Sequence, residues 1–530
     1  MPVEKSTQST SGALHSTLVV STMTLLSRIT GLLRDMALAQ MVGGSAMADA
    51  FFVAFRIPNF FRRISAEGAF SSAFIPVFTE FRNRRSQQEL QQFLNFTAGW
   101  LSFILLLLTA IGVGFAPQIV SILAPGFATD PVKFQLTTDA LRITFPYLLF
   151  ISLVAMSAGI LNSCNRFAIP AITPVLLNLS LLSAVFWLIP LFPNATIGLS
   201  WGVFLAGALQ FLLQLPFLYR EGLLPKPRLA WKLDSKQDGR DGVLKVFRLM
   251  LPTILGSSVA QVNLLVSTFL ASFLATGSVS WLYYSDRLME FPLGVFGIAI
   301  ATAILPRLSS HHSHASSEDF NGLMNWALRW AVLISLPASV ALILLAKPIL
   351  VTLFQYGEFT SHDVNMASAS LIAFALGLLP LILVKVLAPG FYARQDTRTP
   401  MRIGVLAVVV NLVASIALVN ILAHVGLALA TSIAAIVNAT LLYLGLRRAG
   451  VITPQKAEWV VFLLRMLIAT SVMAAVLWWG TGSLEQWLQA STIQRVIQLT
   501  TWVLAGLGSF TLTALAAGIR PHHFREPVTP

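Results

Sequence analysis

Arginine occurs in this sequence where it is least expected. Arg28 and Arg34 lie in an apolar run near 14–41, Arg56, Arg62 and Arg63 in a second near 46–79, and Arg287 in another near 278–306. Arg142 and Lys385 are further cations in such runs, and Asp35, Asp49, Glu67, Asp286 and Glu290 accompany them. An Arg or Asp at the centre of a membrane helix costs about 2.5–3.5 kcal/mol on insertion scales, so such residues usually face a bundle interior or a watery cavity. Arg28, Arg56, Arg62, Arg63 and Arg287 outnumber the acidic partners at mid-depth. Guanidinium is planar and donates bidentate hydrogen bonds to phosphate. The cluster therefore predicts an aqueous site for an anionic, phosphorylated ligand. Internal pairing competes with this reading, since Arg287 and Glu290 are spaced to share a helix face, as are Arg63 and Glu67. Arg34 and Asp35 stand close enough to a helix end to reach the interface. Asp49, Arg56 and Arg63 recur every seven residues and form one stripe.

The elements that must position these residues are membrane helices. Of 530 residues, 56% are hydrophobic and 11% charged, against about 25% charged in soluble proteins; the mean hydropathy is +0.76. Fourteen runs are long enough to span a bilayer. With the N-terminus inside, loops on one face hold Arg82, Arg84, Arg85, Arg166, Lys226, Arg228 and Arg394, while the opposite loops hold almost none beyond Lys133. That asymmetry sets both termini in the cytoplasm. It also explains the net charge of +13 without nucleic acid.

The chain repeats at a spacing of about 230 residues: NRFAIP ends at Pro170 and DTRTP at Pro400, and Arg56 corresponds to Arg287. Each repeat holds six helices, so the halves share an orientation, a common transporter plan with the substrate path between them. The expected fold is an all-α polytopic membrane protein with two six-helix lobes related by a parallel repeat, plus two C-terminal helices. Its parts are a cytoplasmic tail at 1–13, an N-lobe at 14–219, a basic linker at 220–242, a C-lobe at 243–446, the added helices at 458–517 and a cytoplasmic tail at 518–530. The second and eighth helices, both carrying the charges, are interrupted by Pro58 and Gly68 and by Pro292, Gly294 and Gly297.

Other chemistries have little support. Cys164 is the sole cysteine, so neither a disulfide framework nor a thiolate metal site can form. The N-terminus lacks a cleavable signal pattern. There is no phosphate-binding GxxxxGK[ST] loop, no HExxH and no GxSxG. His311, His312 and His314 fall in a Ser-rich stretch and read as a solvated loop.

The motifs SRITGLLRDMALAQMVG (27–43), ADAFFVAFRIPNFFRRISAEGAFSSAFIPVF (48–78), GILNSCNRFAIPA (159–171), SVSWLYYSDRLMEFPLGV (278–295) and VKVLAPGFYARQDTRTP (384–400) closely resemble the lipid II flippase family MurJ/MviN. That family belongs to the multidrug/oligosaccharidyl-lipid/polysaccharide exporter superfamily. The resemblance runs in family order along nearly the whole chain. It implies a non-enzymatic inner-membrane transporter that carries undecaprenyl-diphosphate-linked disaccharide-pentapeptide to the outer leaflet for peptidoglycan synthesis. It places the substrate-binding arginines at Arg28, Arg34, Arg62 and Arg287, and an important acid at Asp49. Ala39 and Ser280 match cavity positions, and Glu67 belongs to the AEGAF motif. The last two helices would hold the lipid tail.

The implied mechanism is alternating access, with the diphosphate docking on Arg28, Arg62 and Arg287. No cofactor is called for, and the drive would come from membrane potential, a monovalent-cation gradient or downstream consumption. Expected partners are lipid II, membrane lipids and cell-wall synthesis proteins, but no nucleic acid. The competing cargoes are another undecaprenyl-diphosphate-linked oligosaccharide or a drug, although an arginine-rich cavity disfavours cationic drugs. A lipid-sugar enzyme would need larger periplasmic loops, and a scaffold would leave the buried arginines without a use.

Overall fold

The computed structural model describes residues 7–63, 69–229, 240–297, 317–453 and 456–520. Glu67, Gly68, the histidine run 311–314 and residues 230–239 of the linker lie outside these residues. The chain divides into two compact units, Met1–Thr276 and Gly277–Pro530. The helices of the first are α1 (Thr7–Val42), α2 (Ala46–Phe61), α3 (Ser71–Arg84), α4 (Gln87–Gly114), α5 (Ala116–Leu123), α6 (Pro131–Thr144), α7 (Tyr147–Ser163), α8 (Ala168–Ser183), α9 (Ala195–Arg220) and α10 (Arg240–Ser272). The second holds α11 (Ser278–Pro292), α12 (Ser317–Phe354), α13 (Ser361–Ala375), α14 (Leu378–Tyr392), α15 (Arg398–Arg448), α16 (Lys456–Thr481), α17 (Leu484–Gln489) and α18 (Thr492–Ala516).

Among the described residues, nine helical stretches are long and apolar enough to cross a membrane. One of them, α15, carries a non-helical Ala423 (φ 49, ψ −130), which breaks a 51-residue stretch too long for one bilayer crossing. The charge-bearing helices α1, α2 and α11 are not among the nine. Several apolar runs that read as continuous are interrupted. One breaks at Phe115, just before Pro117, and another at Phe145–Pro146. A third turns at Gly377 between α13 and α14. Proline lacks an N–H and clashes with the preceding turn, so a helix restarts at it more readily than it continues through it.

In the first unit, helices associate through close backbone approach and interhelical hydrogen bonds, which is how helices hold together where lipid removes the hydrophobic drive. The Ser180 hydroxyl of α8 donates to Gly202 O of α9 at 2.9 Å, and a Cβ on Gly202 would meet that of Ala184 at 2.6 Å. Phe70, Phe74 and Phe78 stack at i, i+4 spacing along one face of the α3 segment, with centroids 5.1 and 5.7 Å apart. Phe93 of α4 stacks on Phe74 and Phe81. In the second unit α16 and α18 pack on α12 around Met466, Met473, Leu477 and Phe510.

Two turns 230 positions apart share one backbone geometry. Asn165 (φ 60) and Gln395 (φ 59) both take left-handed conformations 230 positions apart. The turns around them match bond for bond. Arg166 N donates to Leu161 O at 2.9 Å, and Asp396 N to Phe391 O at 3.1 Å.

The start of the linker is fixed rather than loose. Gln91 of α4 donates to Leu224 O at 2.9 Å. Asn95 accepts from Lys226 N at 2.6 Å through its side chain and from Arg228 N at 3.0 Å through its carbonyl. Gly99 allows this approach, because a Cβ there would lie 2.0 Å from Arg228 O. Gly99→Ala favours the α4 helix by up to about 1 kcal/mol but disrupts hydrogen bonds worth about 1 kcal/mol each. The strand of linker should therefore lift away. Trypsin should then cut after Arg228 faster than in the wild type, resolved by mass from cleavage after Lys232; an unchanged rate would show that the linker does not depend on this contact.

Candidate functional site

Asn178 of α8 organises the charged segment of α1. Its amide donates to Ser27 O at 2.8 Å and to Thr30 Oγ1 at 3.2 Å, and its Oδ1 accepts from Arg34 at 2.8 Å. Arg34 also donates to Asp35 Oδ1 through Nε at 3.0 Å and through Nη2 at 2.6 Å. Both side chains of this pair are about 5% exposed. They are thus buried within the unit rather than extended to an interface. Arg28 lies on the same helix and is half-buried. Among the described residues it makes no hydrogen bond or ion pair. One arginine of α1 is therefore held by protein and the other is available to a ligand.

The second helix shows the same division. Ser45 caps α2 by accepting from Ala48 N at 3.3 Å, and Asp49 follows in its first turn. Asp49 Oδ2 accepts from Lys133 Nζ at 2.8 Å, with side-chain exposures of 1% and 5%. Lys133 also stands 4.2 Å from the centroid of the Phe127 ring. It begins α6, whose N-terminus Asp130 caps through Val132 N and Lys133 N. Arg56 donates to Thr268 Oγ1 of α10 at 2.8 Å. The Asp49–Arg56–Arg63 stripe thus ends in separate environments, with Arg63 exposed. Arg62 is half-buried and its Nε donates to Asn59 Oδ1 at 3.0 Å. Residues 62–63 and 69–70 form π-helical turns beyond Pro58; such turns break the regular ladder and recur at functional positions.

In the second unit, α11 likewise runs through Pro292 into a π turn, Leu293–Gly297. Arg287 pairs with Glu290 at 3.1 Å, as their spacing predicted, and lies 5.2 Å from the Tyr283 ring centroid. Their side chains are 38% and 42% exposed. The N-terminal half of α11 is tightly held. Trp281 Nε1 donates to Asp363 Oδ1 at 2.6 Å, and Ser285 donates to Ala367 O at 2.7 Å. Ser280 is fully buried, as is Ala39 in α1, so neither borders open space in this conformation. Glu67 lies outside the described residues.

Sequence reasoning did not single out Asn178, Thr268, the Trp281–Asp363 contact or Arg495. Arg495 of α18 is buried and donates to the carbonyls of Trp487, Leu488 and Gln355 at 3.0, 2.9 and 3.2 Å. These carbonyls come from α17 and from the residue just beyond α12, where the helix dipoles are negative. Among the described residues no His, Cys, Asp or Glu cluster could hold a metal. At the end of α7, burial pushes the Cys164 thiol above its usual pKa, which disfavours a thiolate there.

The family profile described as "Lipid II flippase MurJ" matches residues 38–498. The chain belongs to the lipid II flippase MurJ family. A "Probable lipid II flippase MurJ" of Vibrio cholerae serotype O1 is 44% identical over 515 residues, 96% of each chain. A "Lipid II flippase MurJ" of Burkholderia cenocepacia is 39% identical over 511 residues, 96% of this chain and 98% of that one. The fold agrees with the solved structure titled "Lipid II flippase MurJ, inward closed conformation", with a TM-score of 0.78 and 27% identity across 94% of this chain and 98% of that chain. Members of this family are all-helical, multi-pass membrane transporters rather than enzymes, and this chain is built as one of them.

The Asp49–Lys133 pair yields a test that depends on burial. Removing one partner of a buried pair leaves an unpaired charge and costs about 3–5 kcal/mol. Lys133→Ala and Asp49→Ala should each lower the unfolding midpoint in detergent markedly, whereas the double variant should lose much less than their sum. Additive losses would mean that the two side chains are not coupled.

Proposed function

We propose that this chain moves lipid II, the undecaprenyl-diphosphate-linked disaccharide-pentapeptide, from the inner to the outer leaflet of the bacterial cytoplasmic membrane for peptidoglycan synthesis. The observation that carries this reading is the family match through residues 38–498, backed by a relative 44% identical over 96% of both chains. The finer layout we assign is fourteen spanning helices with both termini cytoplasmic. Twelve of them form two lobes of six related by a parallel repeat, and the last two serve the lipid tail. The matching left-handed turns at Asn165 and Gln395 support such a repeat.

The diphosphate is the strongly charged part of the substrate, and guanidinium is its natural partner. We assign this contact to Arg28, Arg62 and Arg287. Arg28 has no competing partner among the described residues. Arg287 is tied to a partly exposed carboxylate, an interaction worth about 0–1 kcal/mol that a diphosphate can displace. Arg34 is occupied by Asp35 and Asn178, so in this conformation its role is to set the position of α1. Asp49 plays the same part for α2, while Ala39, Ser280 and Glu67 are assigned to cavity lining and gating. Translocation proceeds by alternating access. With no nucleotide loop in the sequence, its drive is an ion gradient, membrane potential or consumption of the product.

Complementation tests the reading. A strain depleted of its own lipid II flippase should grow when supplied with this gene. Arg28→Ala and Arg287→Ala should each abolish rescue at wild-type protein levels. Failure of the well-expressed wild type would overturn the function; full rescue by the alanine variants would overturn the arginine assignment alone.

A further inference from the structure

A cavity of ≈ 310 Å³ opens between the start of α8 and the end of α9, with Val19 of α1 beside it, and none of the arginines assigned above lines it. Arg166 and Arg220 supply its cationic lining, while Phe167, Ile169 and Phe217 supply apolar walls. Its one carboxylate, Glu221, is paired with Arg166 Nε at 2.8 Å. Arg220 is exposed, its guanidinium carbon 5.7 Å from the Phe217 ring centroid. Among the described residues Arg220 has no ion-pair partner. The cavity therefore carries a net positive charge that protein leaves partly unanswered.

The internal repeat shows what this place lacks. In the second half, Asp396 stands just before α15, and its Oδ1 accepts from Arg398 N at 3.1 Å and Thr399 N at 3.0 Å. The equivalent residue in the first half, on the same turn, is Arg166. The equivalent N–H groups are those of Ala168 and Ile169, for which no side chain among the described residues is an acceptor. Pro170 follows and has no N–H. One copy of the repeat thus carries its own anion at the helix start. The other replaces it with a cation, and Ala168 and Ile169 line the cavity.

The surface leading from the cavity is apolar. Trp201, Leu205, Leu209, Leu212 and Tyr219 form an exposed stripe along α9, ending beside Arg220. Aromatic residues next to cations are typical of the membrane interface, and basic pockets between helix ends suit anionic headgroups. We propose that this cavity binds the phosphate of an anionic glycerophospholipid, with Arg166 and Arg220 on the phosphate and an acyl chain lying along the α9 stripe. This site is independent of the flippase reading and would stand if another cargo were transported.

Native mass spectrometry of the delipidated full chain, titrated with phosphatidylglycerol, tests the proposal, with phosphatidylcholine and inorganic phosphate as comparison ligands. Phosphatidylglycerol should bind more tightly than either. Arg166→Ala combined with Arg220→Ala should weaken its tightest binding event about tenfold or more, as expected from losing two charge-assisted contacts. Arg166→Asp copies position 396 and supplies the helix start from within, so it should fold normally and also lose the site. Undiminished phosphatidylglycerol binding in the folded Arg166→Asp protein would overturn the site. Equal binding of inorganic phosphate would overturn the lipid as its occupant.

Discussion

Hydrocarbon offers a charge no water, so each ion inside a membrane protein must be answered by another part of the protein or by a ligand. This constraint orders the molecule. Arg34 is answered by a carboxylate one residue away and an amide on α8. Asp49 is answered by Lys133, and Arg495 by carbonyls at two helix ends. These answers also join helices, so solving the charge problem fixes α1 to α8, α2 to α6, and α18 to α12 and to its neighbour α17. Arg28 has no such answer among the described residues. Arg28 is also less deeply buried than these ions, and the proposed diphosphate contact draws on it.

Exposure then separates the ion pairs that build from those that can exchange. A pair as buried as Asp49–Lys133 cannot release one member without stranding the other, a penalty of about 3–5 kcal/mol. A substrate would rarely repay that. Arg287 and Glu290, each more than a third exposed, lose almost nothing on parting because water replaces the partner. The two kinds of pair look alike in a sequence, yet one is scaffold and the other is a reserve of charge.

Much of this was legible beforehand, and the limits have physical causes. The Arg287–Glu290 pair follows from helical spacing alone. Pro170 and Pro400, which end the two motifs, are each preceded by a left-handed turn, at Asn165 and Gln395. Lys133 drew notice as a cation on the wrong side of the membrane, but its partner lies 84 positions away and no local pattern connects them. Adjacent residues on a helix point apart, so Arg34 and Asp35 did not read as a buried pair. It takes Asn178, 144 positions from Arg34, to hold the arginine in that geometry. The breaks at Phe115 and Gly377 escaped because both stretches are apolar throughout, and hydropathy does not report where an apolar run turns.

Two of the charge-bearing helices, α2 and α11, are held in the same way. The N-terminal half of α2 is fixed by Asp49 to Lys133, by Thr196 Oγ1 to Met47 O at 3.0 Å and by Thr144 Oγ1 to Ala54 O at 3.3 Å. The N-terminal half of α11 is fixed by Trp281 to Asp363 and by Ser285 to Ala367. Each helix then reaches a proline, at Pro58 or Pro292, and passes into π-helical turns. Arg62 and Arg287 sit at or just before these changes, beyond the bonds just named. A π turn breaks the regular hydrogen-bond ladder, so in both helices an arginine stands close to where a firmly bonded segment meets an irregular one.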